Sequence, residues 1–422
     1  MKPRVVITGM GIVSANAHGL KDYEKALRDM RSGIRHFPLL QELNFGCQVV
    51  AVPQNIEMLR TRYSSEEALI AMNSSMSFAA IAAIDCWEDA GFKRPLRDCD
   101  VDWETGAFIG TGIGGVDTVG DRVVPLTNQG NVRRLGSTTV EQSMVSAASA
   151  NIGGLLGLGG QVSTNSSACT TGTEALVNAF YAIQSGRLKR VLAGATEGTS
   201  AYTWATFDAM RVLARGFNDR PEQASRPMSA SAAGFVPAAG AGILMLESLD
   251  AAEARGARIY AEIIGAHVNC GGQRNGGSIS APNPEGVQRC IQSAIKMAGI
   301  HPSEIDLING HLTATMADSM EIHNWQAALG CSPEALPLIN STKSLIGHAL
   351  GAAGGIECIA SVLQLYKGFV HRSANCEDLH PKLEAFASRI VQRTQDIDAR
   401  ILAKASFGFG DVNACLLFQT LT

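Results

Sequence analysis

The sequence predicts an α/β protein built as two similar layered halves, and three observations lead there. Strand-type and helix-type runs alternate from one end of the chain to the other, the pattern of sheets covered by helices. At 422 residues the chain is long enough for two domains or one large double unit. Its composition, 46% hydrophobic with 44 glycines and 6% aromatic residues, is that of a soluble globular α/β protein.

The elements follow in order. Residues 5–8 read as a short β-branched strand. Gly9-Met10-Gly11 after it resembles part of a dinucleotide fingerprint but lacks the third glycine and the later acidic residue, so it reads as a tight turn. Residues 20–31 read as a helix and 45–52 as strand and loop. The stretch 64–90 has long helical periodicity, with Leu69, Met72, Met76, Ala79, Ile81 and Ile84 as its apolar component. Residues 106–115 form a strand entering a glycine-rich loop, with no Walker lysine after it. A β-type run at 161–165 meets a helix at 174–184, and strands follow at 190–196, 239–247 and 259–264, the last two joined by the charged 250–258. The remainder alternates: helix 284–298, strand 305–309, helix 317–329, strand 337–340, helix 354–367, and closing strands at 403–407 and 414–418. Parallel-rich sheets are expected, and the recurrence of strands, covering helices and glycine-rich turns in each half suits a duplicated unit.

A formal charge of −4 gives no electrostatic reason to expect nucleic acid or an anionic membrane as a partner. No apolar run is long enough to span a bilayer, and Met1-Lys2-Pro3-Arg4 leads straight into a strand rather than a signal peptide. The ten cysteines and nine histidines are scattered, with no Cys-x-x-Cys pair and no Cys/His cluster at zinc spacing. Reduced thiols in a cytoplasm are therefore expected, with neither a disulfide framework nor a metal site.

Residues 162–173, Val-Ser-Thr-Asn-Ser-Ser-Ala-Cys-Thr-Thr-Gly-Thr, put one cysteine, Cys169, where a strand-type run meets a helix-type run. Unpaired N–H groups and the helix dipole favour a thiolate there, so this thiol is expected to lose its proton more easily. Ser166, Ser167, Ala168 and Gly172 would let backbone and substrate come close. Most free cysteines are buried small hydrophobes, and this stretch alone leaves nucleophile and core residue both open. His311, in Asn309-Gly310-His311-Leu312-Thr313-Ala314-Thr315, follows a strand in a loop flanked by hydroxyls. His348, in Thr342-Lys343-Ser344-Leu345-Ile346-Gly347-His348, also follows a strand and just precedes a helix. One such histidine is more often structural than catalytic, whereas a cysteine and two histidines at strand ends point to a shared crevice. Ser406-Phe407-Gly408-Phe409-Gly410-Asp411 reads as a loop able to approach the thiol and offer N–H groups to an oxyanion, or as a simple β-turn.

With Ser-Ala-Cys-Thr-Thr-Gly around Cys169, Gly-His-Leu-Thr-Ala-Thr at His311, Thr-Lys-Ser-Leu-Ile-Gly-His-Ala-Leu-Gly-Ala-Ala-Gly over Lys343 and His348, and Gly-Phe-Gly-Asp at Phe409, the sequence resembles the β-ketoacyl-acyl carrier protein synthases. The likeness is closest to the type I/II elongating group and runs from Val5 to Ala414. It implies a thiolase-like fold of two α/β/α halves in five αβαβα layers. The first half, 1–255, would hold Cys169, and the second, 256–422, His311, Lys343, His348 and the Phe409 loop. The implied reaction is a decarboxylating Claisen condensation in fatty-acid or polyene/polyketide-type elongation. Cys169 would take an acyl chain from an acyl carrier protein as a thioester, and the N–H groups of Cys169 and Phe409 would hold the oxyanion. Gly408, Gly410 and Asp411 would shape the gate. His311 and His348, as neutral donors, would hold the malonyl thioester carbonyl while carbon dioxide leaves. Lys343 would order the histidines electrostatically, Glu357 would fix that network, and Thr313 and Thr315 would support it. No cofactor is implied beyond the phosphopantetheine carried by the carrier protein. Ile113, Thr138, Thr139 and Phe207 would line an acyl pocket. Arg133, Arg134 and Arg211 would dock the acidic carrier protein. A dimer is implied, either of two copies or with a ketosynthase-like subunit.

A degradative thiolase is the nearest rival, but it needs a second cysteine in the late glycine-rich loop, where this chain has Phe409; Cys415 lies further on, in the final strand. A non-catalytic partner subunit would lack the nucleophile. Four departures from the family pattern point to a specialised ketosynthase. Asp411 replaces a second glycine in the gate, and Leu312 replaces the glycine after the first histidine. The stretch 269–278 is longer and richer in glycine than usual, and Ser137-Thr138-Thr139-Val140 stands where bulky aromatics often close the pocket. The docking surface is mixed too, since Glu66 and Glu67 occupy a normally basic helix.

Overall fold

The computed structural model describes residues 2–421 apart from positions 64, 66, 67, 69, 70, 97 and 99. Ten strands form one mixed sheet: β1 (Val5–Val13), β2 (Thr105–Gly110), β3 (Val162–Ser163), β4 (Arg190–Glu197), β5 (Gly240–Ser248), β6 (Ala261–Cys270), β7 (Leu307–Asn309), β8 (Leu338–Asn340), β9 (Ile401–Gly408) and β10 (Val412–Gln419). Their order is β8-β7-β9-β10-β6-β1-β5-β4-β2-β3. From the β1–β6 seam outward, β1-β5-β4-β2-β3 and β6-β10-β9-β7-β8 each run through antiparallel, antiparallel, parallel and parallel pairings. The duplication read from the sequence is therefore written in the topology. The seam is short, joining Val5, Val6 and Ile7 to Ile263, Glu262 and Ala261.

The expectation of parallel-rich sheets is corrected, because most of these pairings are antiparallel. In each half the last strand inserts beside the first and runs against both neighbours, instead of crossing over a helix to lie parallel. In the second half that return is the tight β9–β10 hairpin.

Strand residues alternate between two cores, since successive side chains point to opposite faces. Val5, Ile7, Val191, Leu246, Leu402 and Leu416 face a central cluster built on the helices Thr171–Gln184 and Ala353–Lys367. Leu192 and Met245 face outward to the helices Ser74–Asp89 and Ala147–Leu156. On the other side Ala403 and Leu417 meet Pro284–Ala298 and Ala317–Leu329. Helix, sheet, helix, sheet and helix are thus stacked in five layers. The two central helices touch backbone to backbone, for a Cβ added to Gly172 would lie 2.5 Å from Gly355 N. Their N-termini follow Cys169 and His348, so this close contact is what brings the two halves' chemistry together.

Gly9 and Gly11 are corrected from turn to strand, since β1 continues to Val13. They are small because β1 runs directly under the Ser74–Asp89 helix: a Cβ on Gly9 would lie 2.5 Å from Cys86 O, and one on Gly11 would strike Ala82 O. That helix starts at Ser74 rather than at 64, with Asn73 accepting the Met76 N–H as its cap. Ser64 and Leu69 of the predicted stretch lie outside the described residues, as do Glu66 and Glu67. The first helix ends at Arg28, β6 continues to Cys270, and the charged connection before it contains the helix Leu249–Ala254. Among the described residues no helix is long and apolar enough to cross a membrane.

Candidate active site

Cys169 sits in a single 3₁₀ turn, Ala168–Thr170, immediately before the Thr171–Gln184 helix. The turn is strained, with Ala168 at φ 51°, and hydroxyls hold it. Thr171 Oγ1 accepts from Ser167 N–H at 2.9 Å and donates to Ala168 O at 2.7 Å, while Thr170 Oγ1 donates to Ser167 O at 2.6 Å. The Ser/Thr run does more than leave space: it clamps the cysteine's backbone.

His348 Nε2 lies 3.1 Å from Cys169 Sγ, and the His311 ring stands edge-on to His348 with centroids 5.3 Å apart. The sulfur and one nitrogen from each imidazole lie within 4.8 Å of one another, a cluster that spacing in the sequence did not show. Main-chain bonds fix His348, whose N–H donates to Val236 O at 2.8 Å and whose carbonyl accepts from Ala238 N at 3.1 Å. His311 is fixed by two acids that sequence reasoning missed. Glu321 accepts the His311 and Leu312 N–H groups at 2.6 and 2.7 Å, and Asp318 accepts those of Thr313 and Ala314 at 2.8 and 3.1 Å. Leu312, at φ 24°, is thereby held in a region where glycine is usual, and its side chain is fully buried. The available signal was two acids three apart, Asp318 in the first turn and Glu321 in the second turn of the helix that follows the histidine. Thr313 and Thr315 bond each other through their hydroxyls at 3.0 Å in the same loop.

Behind the histidines, Lys343 Nζ lies 3.4 Å from His311 Nδ1 and pairs with one oxygen of Glu357. Lys404 Nζ pairs with the other oxygen at 2.9 Å, and all three side chains are sealed from solvent. Lys404 was also missed, although a lysine inside an otherwise apolar strand was there to be noticed. Glu197, a further buried acid, accepts Gly112 N–H at 2.9 Å and Gly351 N–H at 3.0 Å, tying together loops from the two halves beside Cys169.

Burial holds both imidazoles well below their ordinary pKa, and the positive charges of Lys343 and Lys404 push the same way. They are therefore neutral at physiological pH. The expectation of an acidified thiol is corrected. Burial pushes Cys169 up to about 12, and the opposing pull of Lys343 and the Phe409 N–H does not offset it. The resting group is a thiol, in hydrogen-bond contact with His348 Nε2. Burial likewise raises Glu321 and Glu197 to about 7 and Asp318 to about 6.

The β9–β10 loop covers the thiol. Gly408 packs on the Cys169 turn, where a Cβ would lie 2.9 Å from Ser167 O, and Phe409 directs its N–H at Cys169 Sγ. Phe409, Phe207, Phe235 and His348 form a chain of rings with successive centroids 6.1, 5.4 and 5.1 Å apart. Asp411 adopts φ 63°, the conformation glycine would supply, at a cost of about 1 kcal/mol. Its buried carboxylate accepts Asn283 N–H and Gln273 N–H at 2.8 Å each, its carbonyl accepts Gly271 N–H at 2.8 Å, and Gly410 N–H donates to Ile279 O at 2.7 Å. Two departures seen in the sequence, Asp411 and the glycine-rich stretch, are thus one feature: the aspartate staples that loop to the gate.

Of the remaining predicted residues, Ile113 directs its backbone N–H at Glu197, the acid beside Cys169. Phe207 sits at the gate beside Phe409, as described. Ile113 is 39% exposed in the loop after β2. Thr138 and Thr139 lie in the short helix Thr138–Ser143, with the Thr139 hydroxyl bonded to Leu135 O at 2.5 Å. Arg133 and Arg134 are exposed on the turn Val132–Arg134, and Arg211 is exposed just after the helix Ala201–Ala209.

Comparison with known proteins adds independent findings. Residues 2–252 match the family described as beta-ketoacyl synthase, N-terminal domain, and residues 260–377 match beta-ketoacyl synthase, C-terminal domain. The chain is 32% identical over 417 residues to the 3-oxoacyl-[acyl-carrier-protein] synthase 1 of Haemophilus influenzae, covering 99% of this chain and 98% of that one. Among solved structures, the ishigamide ketosynthase/chain length factor superposes with a TM-score of 0.89 at 27% identity over 100% of both chains. AntDE:AntF, a type II PKS acyl-carrier protein in complex with its ketosynthase bound to the hexaketide, gives a TM-score of 0.87 at 27% identity, again over 100% of both chains.

Proposed function

We infer the reaction from one premise: this chain belongs to the β-ketoacyl synthase family. It is a condensing acyltransferase of the 3-oxoacyl-[acyl-carrier-protein] synthase type, acting in fatty-acid or polyketide chain elongation. The observation that supports giving the chemistry to particular residues is the 3.1 Å contact of His348 Nε2 with Cys169 Sγ, with His311 alongside.

In the first half-reaction Cys169 sulfur attacks the acyl thioester of a carrier protein, and its proton goes to the departing phosphopantetheine thiol. The N–H groups of Cys169 and Phe409 hold the oxyanion of the tetrahedral intermediate. In the second, malonyl thioester binds with its carbonyl oxygen between the two imidazoles. The bond to the carboxylate breaks, carbon dioxide leaves, and the electron pair becomes an enolate held by two N–H donors. Its carbon attacks the Cys169 thioester; a carbon–carbon bond forms, the carbon–sulfur bond breaks, and Cys169 leaves as a thiolate that takes up one proton from solvent to become a thiol again. Neutral imidazoles suit this, since they donate to developing negative charge without first giving up a proton. Cys415 is buried within β10 and absent from the gate, which supports condensation over thiolase chemistry.

An acidic carrier protein fits the exposed Arg133, Arg134 and Arg211, none of which has a carboxylate partner among the described residues. A dimer fits the open edge of β3 and the exposed apolar side chains of Val140, Met144 and Val145, with either a second copy or a ketosynthase-like subunit as partner. The small Thr138 and Thr139 and the likeness to the type II PKS ketosynthase bound to the hexaketide support a specialised polyketide-type chain as product.

The pH profile of carbon dioxide release from malonyl-carrier protein tests the central step. Because His311 and His348 are held well below their ordinary value of about 6.5, their neutral form persists as pH falls. Release should therefore stay level from pH 8 down to about 6. His311→Ala should lower it by about 10²–10³-fold while Cys169 still loads with acyl chain. Loss of rate through an apparent pKa at or above 6.5, or full release by the alanine variant, would refute the assignment.

A further inference from the structure

We propose that Lys404 is a positioning residue of the condensation site, holding Glu357 from the side opposite Lys343 so that the His311–His348 pair has a net positive backing for the enolate. The inference rests on the reaction assigned above and goes beyond it, because Lys404 lies in neither the nucleophile motif nor the histidine motifs.

The geometry is specific. Glu357 projects from the central Ala353–Lys367 helix and offers one oxygen to Lys343 and the other, at 2.9 Å, to Lys404. None of the three is more than 1% exposed. With both lysines protonated, one carboxylate faces two ammonium groups and the trio keeps one positive charge in excess. A buried unpaired charge is costly, so a fold that keeps it has a use for it or suffers for it. Here the excess lies next to the histidines, with Lys343 Nζ 3.4 Å from His311 Nδ1. If Lys404 were neutral, Glu357 would cancel Lys343 and that potential would vanish.

Other groups around the trio do not supply the same charge. Lys404 faces the thiols of Cys358 and Cys415, both pushed up to about 12 by burial, and its ammonium donates to Ser406 Oγ at 3.3 Å and to Ala405 O. Tyr23, buried near Glu357, is held neutral by desolvation. On the far side of Lys343, Glu321 is committed to the His311 and Leu312 N–H groups, and Glu197 to Gly112 and Gly351. Lys404 also reaches the nucleophile's own helix, because Ser406 Oγ lies 2.8 Å from Thr173 Oγ1. The same lysine thus touches the carboxylate behind the histidines and, through Ser406, links the strand that leads into the Phe409 loop to the nucleophile's helix.

The test uses the full-length protein and three variants, Lys404→Met, Lys404→Gln and Lys404→Arg. Acyl loading of Cys169 is read by intact mass, and carbon dioxide release from malonyl-carrier protein is read from pH 5 to 9. Removing a positive charge makes the nearby imidazoles easier to protonate. The acid limb of carbon dioxide release should then move to higher pH, by about half a unit or more, in the neutral variants. The ratio of decarboxylation to loading should fall about tenfold, and Lys404→Arg, which keeps the charge, should keep the wild-type limb. A purely structural lysine predicts equal losses in both half-reactions with the limb unmoved, and that result overturns the proposal. So does failure of both neutral variants to fold, since Lys404 would then serve the fold rather than the site. Absence of carbon dioxide release from the wild-type protein would instead refute the reaction itself, and the role of Lys404 with it.

Discussion

Cys169→Ala should abolish acyl-enzyme formation and condensation together, a loss of at least about 10⁴-fold. The reason is structural as well as chemical. Among the described residues no other sulfur shares the contact with His348, and the oxyanion donors have nothing to serve once the nucleophile is gone. Thr170 and Thr171 hold the turn through Ser167 and Ala168 rather than through the thiol, so the variant should fold normally. The histidines and their Lys343–Glu357 support are untouched, so decarboxylation of malonyl-carrier protein should continue without a carbon–carbon bond being made. Measuring acyl mass, carbon dioxide and 3-oxoacyl product in parallel separates these outcomes. Condensation that persists in the alanine variant would remove Cys169 from the mechanism.

Glu357→Gln should destabilise the protein by about 3–5 kcal/mol, the largest stability loss expected of any near-isosteric change near the site. The substitution preserves shape but leaves two ammonium groups facing each other with no counter-charge, in a place fully sealed from water. One lysine can relieve the repulsion by giving up its proton, and Lys343, already held below its ordinary value by burial and by Lys404, is the group placed to do so. Urea denaturation at pH 7 and pH 9 checks both points. The loss should be smaller at pH 9, where deprotonation costs less, and an equal or negligible loss at both would contradict the charge account.

Much of this was legible in the sequence, for identifiable reasons. The helix Pro284–Ala298 falls on its predicted bounds because Asn283 caps it, Pro284 opens it and Gly299 ends it at φ 69°. Ala317–Leu329 likewise ends at Gly330 in the left-handed region. Cys169, His311, Lys343 and His348 were readable because each sits in a short motif at a strand end. The two glycines of β1 were misread because their smallness answers to a helix more than seventy residues away, which no local pattern announces. The antiparallel pairings were missed because alternation of strand and helix constrains order rather than direction. Asp318, Glu321, Glu197 and Lys404 act through partners that only folding brings near. Asp411 stood out in the sequence only as a replacement for a glycine in the gate, and it proved to be the staple that holds a second loop to it.

The most direct test of the account is to supply the wild-type protein with acyl-carrier protein and malonyl-carrier protein and follow every carbon by mass spectrometry. The account predicts that the acyl group appears on Cys169, that one carbon dioxide is released per turnover, and that the product is a 3-oxoacyl-carrier protein two carbons longer than the acyl group supplied. An acyl group found on another residue, or malonyl-carrier protein consumed with no chain extension, would contradict it.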